Sequence, residues 1–201
     1  MPDQPSRRAT LADLPALTET IGLAFAEDPV WGHAFAGAKA PGTEAIWRIW
    51  IEGALRHDWV WITPGAEAVS IWIPPGRTEL SDEQERAFGD AAEAILGRDG
   101  AAYLDAVMAR FSAAHPHVEP HYYLSLLGTH PAHRGHGIGM QLLADNLAVI
   151  DRAGAPAYLE SSNPANDQRY ESLGFRPYGR FSLPDDGPVV STMWRPGDLK
   201  S

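Results

Sequence analysis

Three glycines within six residues, Arg134-Gly135-His136-Gly137-Ile138-Gly139, join the most apolar segment of the chain to an amphipathic one, and this junction narrows the possible folds more than any other feature. Residues 121–129 form a nearly unbroken apolar run with tyrosines, the pattern of a buried strand. Residues 138–153 read as a helix, with Gly154 and Pro156 as its stop signals. A strand that passes into a helix through small residues lets several backbone N–H groups converge on an anion, and the positive helix end adds to the attraction. The junction therefore predicts a phosphate cradle, although glycines also serve tight strand–helix turns that bind nothing. A Walker A loop would end in Gly-Lys-Ser/Thr, whereas Gly139 is followed by Met140 and Gln141. A dinucleotide fingerprint would need a glycine where Met140 stands. Both nucleotide readings fail.

The rest of the chain supplies further alternating elements. Residues 7–9 read as a short strand, and Thr10 with Asp13 gives a capping signal for a helix with Leu14, Leu17, Ile21, Ala24 and Phe25 on its apolar face. Asp28-Pro29 stops it. A second helix is predicted over about 43–57, followed by strands at 59–62 and 68–73 around the turn Thr63-Pro64-Gly65-Ala66. Ser81 with Gln84 forms a capping box, and the apolar pattern of residues 81–114 predicts two inserted helices broken at Asp99-Gly100. After the glycine junction come a strand at 158–160, a short helix at 164–173 closed by Gly174, and two last strands at about 175–183 and 189–194. No repeat or low-complexity linker interrupts this order.

At 201 residues the chain can bury a substantial core, and one domain spanning 1–201 is the expectation. A formal net charge of -10 argues against a partner that is itself a dense polyanion, such as nucleic acid. There is no cysteine, which removes disulfides, thiolate metal sites and a cysteine nucleophile. No apolar stretch reaches the roughly 20 residues needed to cross a bilayer, and residues 1–8 lack the apolar core of a secretory signal. The expectations are a cytoplasmic chain without membrane or nucleic-acid partners; a homodimer is compatible with the sequence.

The pattern Arg-x-x-Gly-x-Gly at 134–139, preceded by Gly128-Thr129-His130-Pro131, resembles the acetyl-CoA pyrophosphate loop of the GNAT acetyltransferases. Downstream, Tyr158-Leu-Glu-Ser-Ser-Asn-Pro-Ala-Asn-Asp-Gln-Arg-Tyr170-Glu-Ser-Leu-Gly-Phe175 is similar to that family's strand, asparagine, helical tyrosine and Gly-Phe series. Leu23-Ala-Phe-Ala-Glu-Asp-Pro29, Ala68-Val-Ser-Ile-Trp72, Pro156-Ala-Tyr-Leu-Glu-Ser161 and Met193-Trp-Arg-Pro-Gly197 look like segments of the puromycin N-acetyltransferase-like branch. The resemblance covers nearly the whole chain and is strongest from 121 to 175.

The resemblance implies an α+β fold, the GNAT acyltransferase fold, with a mixed, mainly antiparallel central sheet flanked by helices and a helical insertion at about 81–114. It implies that acetyl-CoA is the co-substrate, with its pyrophosphate on Arg134, Gly135, His136, Gly137, Ile138 and Gly139. Pantetheine would lie along Leu127, Gly128 and Thr129, in a gap between that strand and the strand at 158–160, and backbone amides there would polarise the thioester carbonyl. Asn163 and Asn166 match positions that contact the pantetheine arm, while Asn163 is equally a good N-cap for the helix at Pro164. Tyr170 matches the tyrosine that protonates the departing thiolate; the alternative is a core aromatic. Direct attack by a primary amine of a small molecule then needs no protein nucleophile, in keeping with the absence of a Gly-x-Ser-x-Gly elbow.

The strand 121–128 carries no acid where many GNAT enzymes place a glutamate, which leaves Glu160, His121 and Tyr122 as candidate bases, Glu160 first, against an ordinary structural glutamate. Asp28, Trp31, His33 and Phe35, in the connection where this family contacts the acceptor, are the candidate acceptor residues together with Tyr122; tryptophans at such positions also serve as core. His130, His133 and His136 are spaced for a metal but lack an acidic partner, so no metal is expected. The functional expectation is an N-acetyltransferase for a small amine. A silent CoA-binding sensor and a protein or peptide acetyltransferase are the alternatives.

Overall fold

The computed structural model of the chain describes residues 6–36, 38, 40–117 and 119–197. The strands β1 (Arg7–Arg8), β2 (Val60–Ile62), β3 (Ala68–Ile73), β4 (Tyr122–Thr129), β5 (Ala157–Ser161), β6 (Arg176–Ser182) and β7 (Val189–Arg195) form one sheet in the order β1-β2-β3-β4-β5-β7-β6. Only β4 and β5 run parallel; all other pairs are antiparallel. Helices α1 (Leu14–Phe25), α2 (Pro29–Ala34), α3 (Ala40–Leu55), α4 (Asp82–Ala114), α5 (Ile138–Arg152) and α6 (Asp167–Glu171) complete the fold. The expected α+β architecture, a mainly antiparallel sheet flanked by helices, is what the chain adopts.

Side chains alternate across a strand, so a strand covered on both faces is apolar throughout. All six residues of β3 are buried for this reason. Val69, Ile71 and Ile73 enter one core with Leu17 and Ile21 of α1, Ile46 and Ile51 of α3 and Leu104 and Val107 of α4. Trp72 points the other way, into a second core with Leu143, Leu147 and Ile150 of α5, Leu159, Phe175 and Met193. Asn146 is the polar pin of that second layer: fully buried, its Oδ1 accepts from Ser70 Oγ at 2.6 Å and from Trp72 Nε1 at 3.0 Å. Asn146→Ala strands two buried donors, each of which carries a desolvation penalty, and is expected to destabilise the protein by about 2–4 kcal/mol, read as a lowered urea midpoint.

Local chemistry accounts for the element ends. Thr10 N–H and Oγ1–H donate to Asp13 Oδ2 at 2.8 and 3.0 Å and start a short 3-10 turn that runs into α1. Asp28 accepts from the N–H groups of Val30 and Trp31 and Pro29 fills the first turn, so Asp28-Pro29 ends one helix and also begins the short α2, where the sequence predicts only a connection. Ser81 and Gln84 form the expected capping box. One boundary needs correction. The break between the two inserted helices falls at Gly97 (φ 74°, ψ 173°), not at Asp99-Gly100, which stays helical. Either glycine could take a left-handed φ, but a Cβ on Gly100 would sit 2.7 Å from that of Leu96, whereas Gly97 lies in open space.

Two features of β4 position the functional site. Ile71 pairs with Leu126 and Trp72 with Leu124, so Ser125 is an extra, bulged residue that bends the strand. The parallel pairing with β5 stops at Leu124–Leu159, although β4 runs on to Thr129 and β5 to Ser161. Beyond that point the strands separate and leave a wedge in the sheet.

Candidate active site

The wedge opens into a chamber of about 1690 Å³, bounded by β4, β5, the glycine junction, α2, α4 and the residues 74–80, 115–117 and 119–121. At one end lies the junction. Gly135 and Gly137 have φ of 83° and 76°, and a Cβ on either would meet nothing within 4 Å, so their backbone faces open space at the start of α5. Arg134 Nη2 donates to the carbonyl of Ala24 at 2.8 Å and ties the loop to the end of α1. Arg134, Gly135, Gly137 and Gly139 line the chamber with Leu127 and Thr129 of β4. Gly139 packs so closely on β4 that a Cβ would stand 2.4 Å from Thr129 Oγ1. Gly128 faces α1, where a Cβ would meet Ile21 Cδ1 at 2.9 Å, and His136 and Ile138 lie outside the lining. His130, His133 and His136 bond locally: His130 Nδ1 accepts from Ala132 N–H, and His136 Nδ1 lies 3.3 Å from the carbonyl of His133.

These features fit the pyrophosphate of a CoA thioester: backbone N–H groups at the head of a 15-residue helix, Arg134 beside them and room where side chains would otherwise stand. Gly137→Val places a branched side chain in that room and strains a left-handed residue by about 1–2 kcal/mol. It is expected to raise the acetyl-CoA Kd roughly tenfold or more, equivalent to at least about 1.4 kcal/mol, in a calorimetric titration of the folded variant.

Tyr170 of α6 faces the chamber, with its ring edge against Phe175 at 6.3 Å. Burial pushes its hydroxyl up to about 12, the negative charges of Asp28 and Asp167 add to this, and Arg169 opposes it. The phenol therefore keeps its proton at neutral pH. Asp28 accepts from Ser162 Oγ at 2.7 Å and lines the same wall; burial raises its pKa against that bond and the two N–H groups it caps. Asn163 caps the turn at Pro164–Asn166 by accepting from Ala165 N–H, and Asn166 accepts from Arg169; both line the chamber.

The other end is acidic and aromatic. The Glu160 side chain is 2% exposed; its Oε1 lies 3.7 Å from His115 Nδ1, and the hydroxyls of Tyr123 and Tyr158 interact with its carboxyl. Across the wedge, Ser125 of the bulge donates to Glu79 Oε1 at 2.5 Å and accepts from Trp50 Nε1 at 3.1 Å. Burial raises the Glu79 carboxyl to about 7, against the Ser125 bond, with the charge of Glu160 adding and His115 opposing. Glu79, Ser125 and His115 were not singled out by the sequence.

The candidate acceptor residues divide. Asp28 and Trp31 line the chamber, Trp31 being 8% exposed and stacked on Phe35 and Phe111. Phe35 is buried behind it against Trp47. His33 is exposed and meets Tyr103 edge-on. Tyr122 packs on Trp59 in the second core, on the other side of the sheet, and its neighbour Tyr123 is the tyrosine that faces the chamber.

Residues 97–177 match the family model of the acetyltransferase (GNAT) domain. Over its whole length the chain is similar to the histone acetyltransferase HPA2 and related acetyltransferase from Corynebacterium glutamicum, with 25% identity, a TM-score of 0.70 and 99% of each chain covered. Its backbone also follows arylalkylamine N-acetyltransferase 2 from Aedes aegypti (12% identity, TM-score 0.66, 96% of this chain and 98% of that one). The same holds for the Drosophila melanogaster polyamine N-acetyltransferase that forms N-acetylagmatine (16% identity, TM-score 0.60, 96% and 99%). The wedge, the glycine junction and these likenesses together give the chain the GNAT acetyltransferase fold, with the family's domain signature over residues 97–177.

Proposed function

We propose that this protein is an N-acetyltransferase that moves an acetyl group from acetyl-CoA to a primary amine of a small molecule by direct attack. The observation that carries this reading is the division of one chamber between an end lined by the glycine junction with Arg134 and an end with two buried carboxylates, Glu79 and Glu160. A CoA thioester suits the first end and a cationic amine the second, and the wedge between β4 and β5 joins them.

In this reading pantetheine occupies the wedge beside Leu127 and Thr129, where backbone N–H groups polarise the thioester carbonyl. An alkylamine with a pKa of ~10.4 arrives protonated. Glu79, poised near neutrality, takes a proton from it, and the free amine attacks the carbonyl carbon. The carbon–sulfur bond breaks as the tetrahedral intermediate collapses, and Tyr170 gives its proton to the sulfur; the proton left on the new amide nitrogen restores Tyr170. Glu160 supplies the charge that holds the ammonium. The inserted α4 closes over the acceptor end, which favours a small acceptor over a protein segment.

The test is a panel of amines, including 2-phenylethylamine, agmatine, spermidine and puromycin, incubated with purified full chain and acetyl-CoA. The aromatic and acidic lining, the arylalkylamine and polyamine enzymes of the same fold, and the sequence likeness to the puromycin branch motivate these members. Amine-dependent release of CoA thiol is expected for at least one. Calorimetric binding of acetyl-CoA without thiol release for any amine would instead leave a silent CoA-binding module.

A further inference from the structure

Glu79 stands in an irregular segment, yet α3 and the turn after it hold it from two sides. Its main-chain carbonyl accepts from Arg56 Nη2 at 3.2 Å, and the carbonyl of Thr78 before it accepts from His57 Nε2 at 2.8 Å. Gly53 of α3 lies so close that a Cβ there would stand 2.5 Å from the Glu79 carbonyl oxygen. The backbone of Glu79 is thus fixed against the helix that also carries Trp50. Trp50 is 7% exposed and sends its indole N–H to Ser125 Oγ, which in turn reaches Glu79 Oε1. Ser125 is the bulged residue of β4, and all three side chains belong to the chamber wall.

The direction of the hydrogens along this chain follows from the groups in it. An indole nitrogen only donates, and an ionised carboxylate only accepts. Ser125 therefore accepts from Trp50 and gives its single hydroxyl hydrogen to Glu79. Leaving a buried N–H without an acceptor is costly, so Trp50 keeps the Ser125 oxygen from turning away. A chain in which every bond points the same way is polarised along its length, which strengthens the last bond. Oε1, already engaged as the acceptor for Ser125, is the less basic of the two Glu79 oxygens, and an incoming proton goes to Oε2.

We propose that Trp50 and Ser125 are positioning residues that hold Glu79 Oε1 as a hydrogen-bond acceptor and present Oε2 to the ammonium group of the acceptor. One ammonium N–H bond breaks, the proton bonds to Oε2, and the electron pair left on nitrogen attacks the thioester. The Ser125 bond favours the ionised carboxylate and so opposes the upward push of burial on Glu79. Glu160 of β5, Tyr123 of β4 and His115 beyond α4 also act on this carboxyl, and Arg56 and His57 lie against the main chain of its segment. These groups are common to the wild type and to variants at 50 and 125, so differences among those proteins read the Ser125 bond. The inference rests on the amine-acetyltransferase reading with Glu79 as base, and its test separates the two.

The first measurement is the titration of the Glu79 carboxyl in the full chain, by ¹³C resonance of labelled glutamate with Glu79→Gln to assign the signal. Ser125→Ala is expected to move that titration up by about half a pH unit or more, because the bond to the charged form is gone. Trp50→Phe keeps an aromatic ring and leaves no orphaned indole N–H. It is expected to move the titration in the same direction by less, and to add nothing when combined with Ser125→Ala. A Glu79 titration indifferent to Ser125→Ala, or a Trp50→Phe shift that is the same with and without the Ser125 hydroxyl, would overturn the proposal whether or not any amine is turned over. The second measurement is kcat/KM against pH with the best amine of the panel. The acidic limb is expected to follow the carboxyl signal upward in each variant, with acetyl-CoA affinity kept within about twofold. A limb that stays in place while the carboxyl signal moves would also overturn it. If the carboxyl signals behave as expected and no amine reacts, the functional reading fails and the order Trp50, Ser125, Glu79 stands.

Discussion

Tyr170→Phe is expected to lower kcat by about 10²-fold, within the range that a positioned proton donor contributes. The substitution keeps the ring that packs on Phe175 and removes only the hydroxyl. Burial and the charges of Asp28 and Asp167 hold that hydroxyl protonated, so its proton is available when sulfur departs. Acetyl-CoA affinity and the melting temperature should change little, because the hydroxyl acts in the transition state. The check is kcat under conditions where chemistry limits turnover, beside a calorimetric Kd. Full activity would return Tyr170 to a packing role.

Glu79→Gln should lower kcat/KM at neutral pH by a comparable factor, about 10²-fold, since the amide cannot take the ammonium's proton. It should also stabilise the protein. The folded carboxyl titrates at about 7 against an ordinary 4.5, so between those values the folded state holds a proton that the unfolded state has lost. Stability from this group is therefore full below about pH 4.5 and declines as pH rises toward 7. Glutamine keeps an oxygen for the Ser125 hydroxyl and escapes the decline. Its advantage over the wild type is expected to be absent at low pH and to reach the order of 2 kcal/mol above neutrality, measured as urea midpoints across pH. A variant that is both less active and less stable at pH 8 would contradict this description of Glu79.

How much of this was legible beforehand depended on the range of the interaction. The strands, the helix after the glycine junction, the capping box at Ser81 and the stop at Asp28 are written in neighbouring residues, and the fold follows them closely. The glycine junction and Tyr170 stand out in the sequence because the patterns that single them out are local. Glu79 could not. It stands in an irregular segment after Pro74-Pro75-Gly76 and acquires its role from Ser125, 46 residues away, which faces it because β4 bulges there. The bond between Asp28 and Ser162 spans 134 residues and is equally invisible to periodicity. Tyr122 and Tyr123 show the limit from another side. Both suit a strand, but which of two adjacent tyrosines faces the chamber depends on strand register.

Single turnover of the acetyl-CoA complex with the best amine of the panel, followed by intact-protein mass and product analysis, tests direct transfer in this chamber most directly. The expected result is one acetamide formed for each thiol released, at the same rate, with the protein mass unchanged throughout. A protein heavier by one acetyl group before acetamide forms, or thiol released without acetamide, would contradict it.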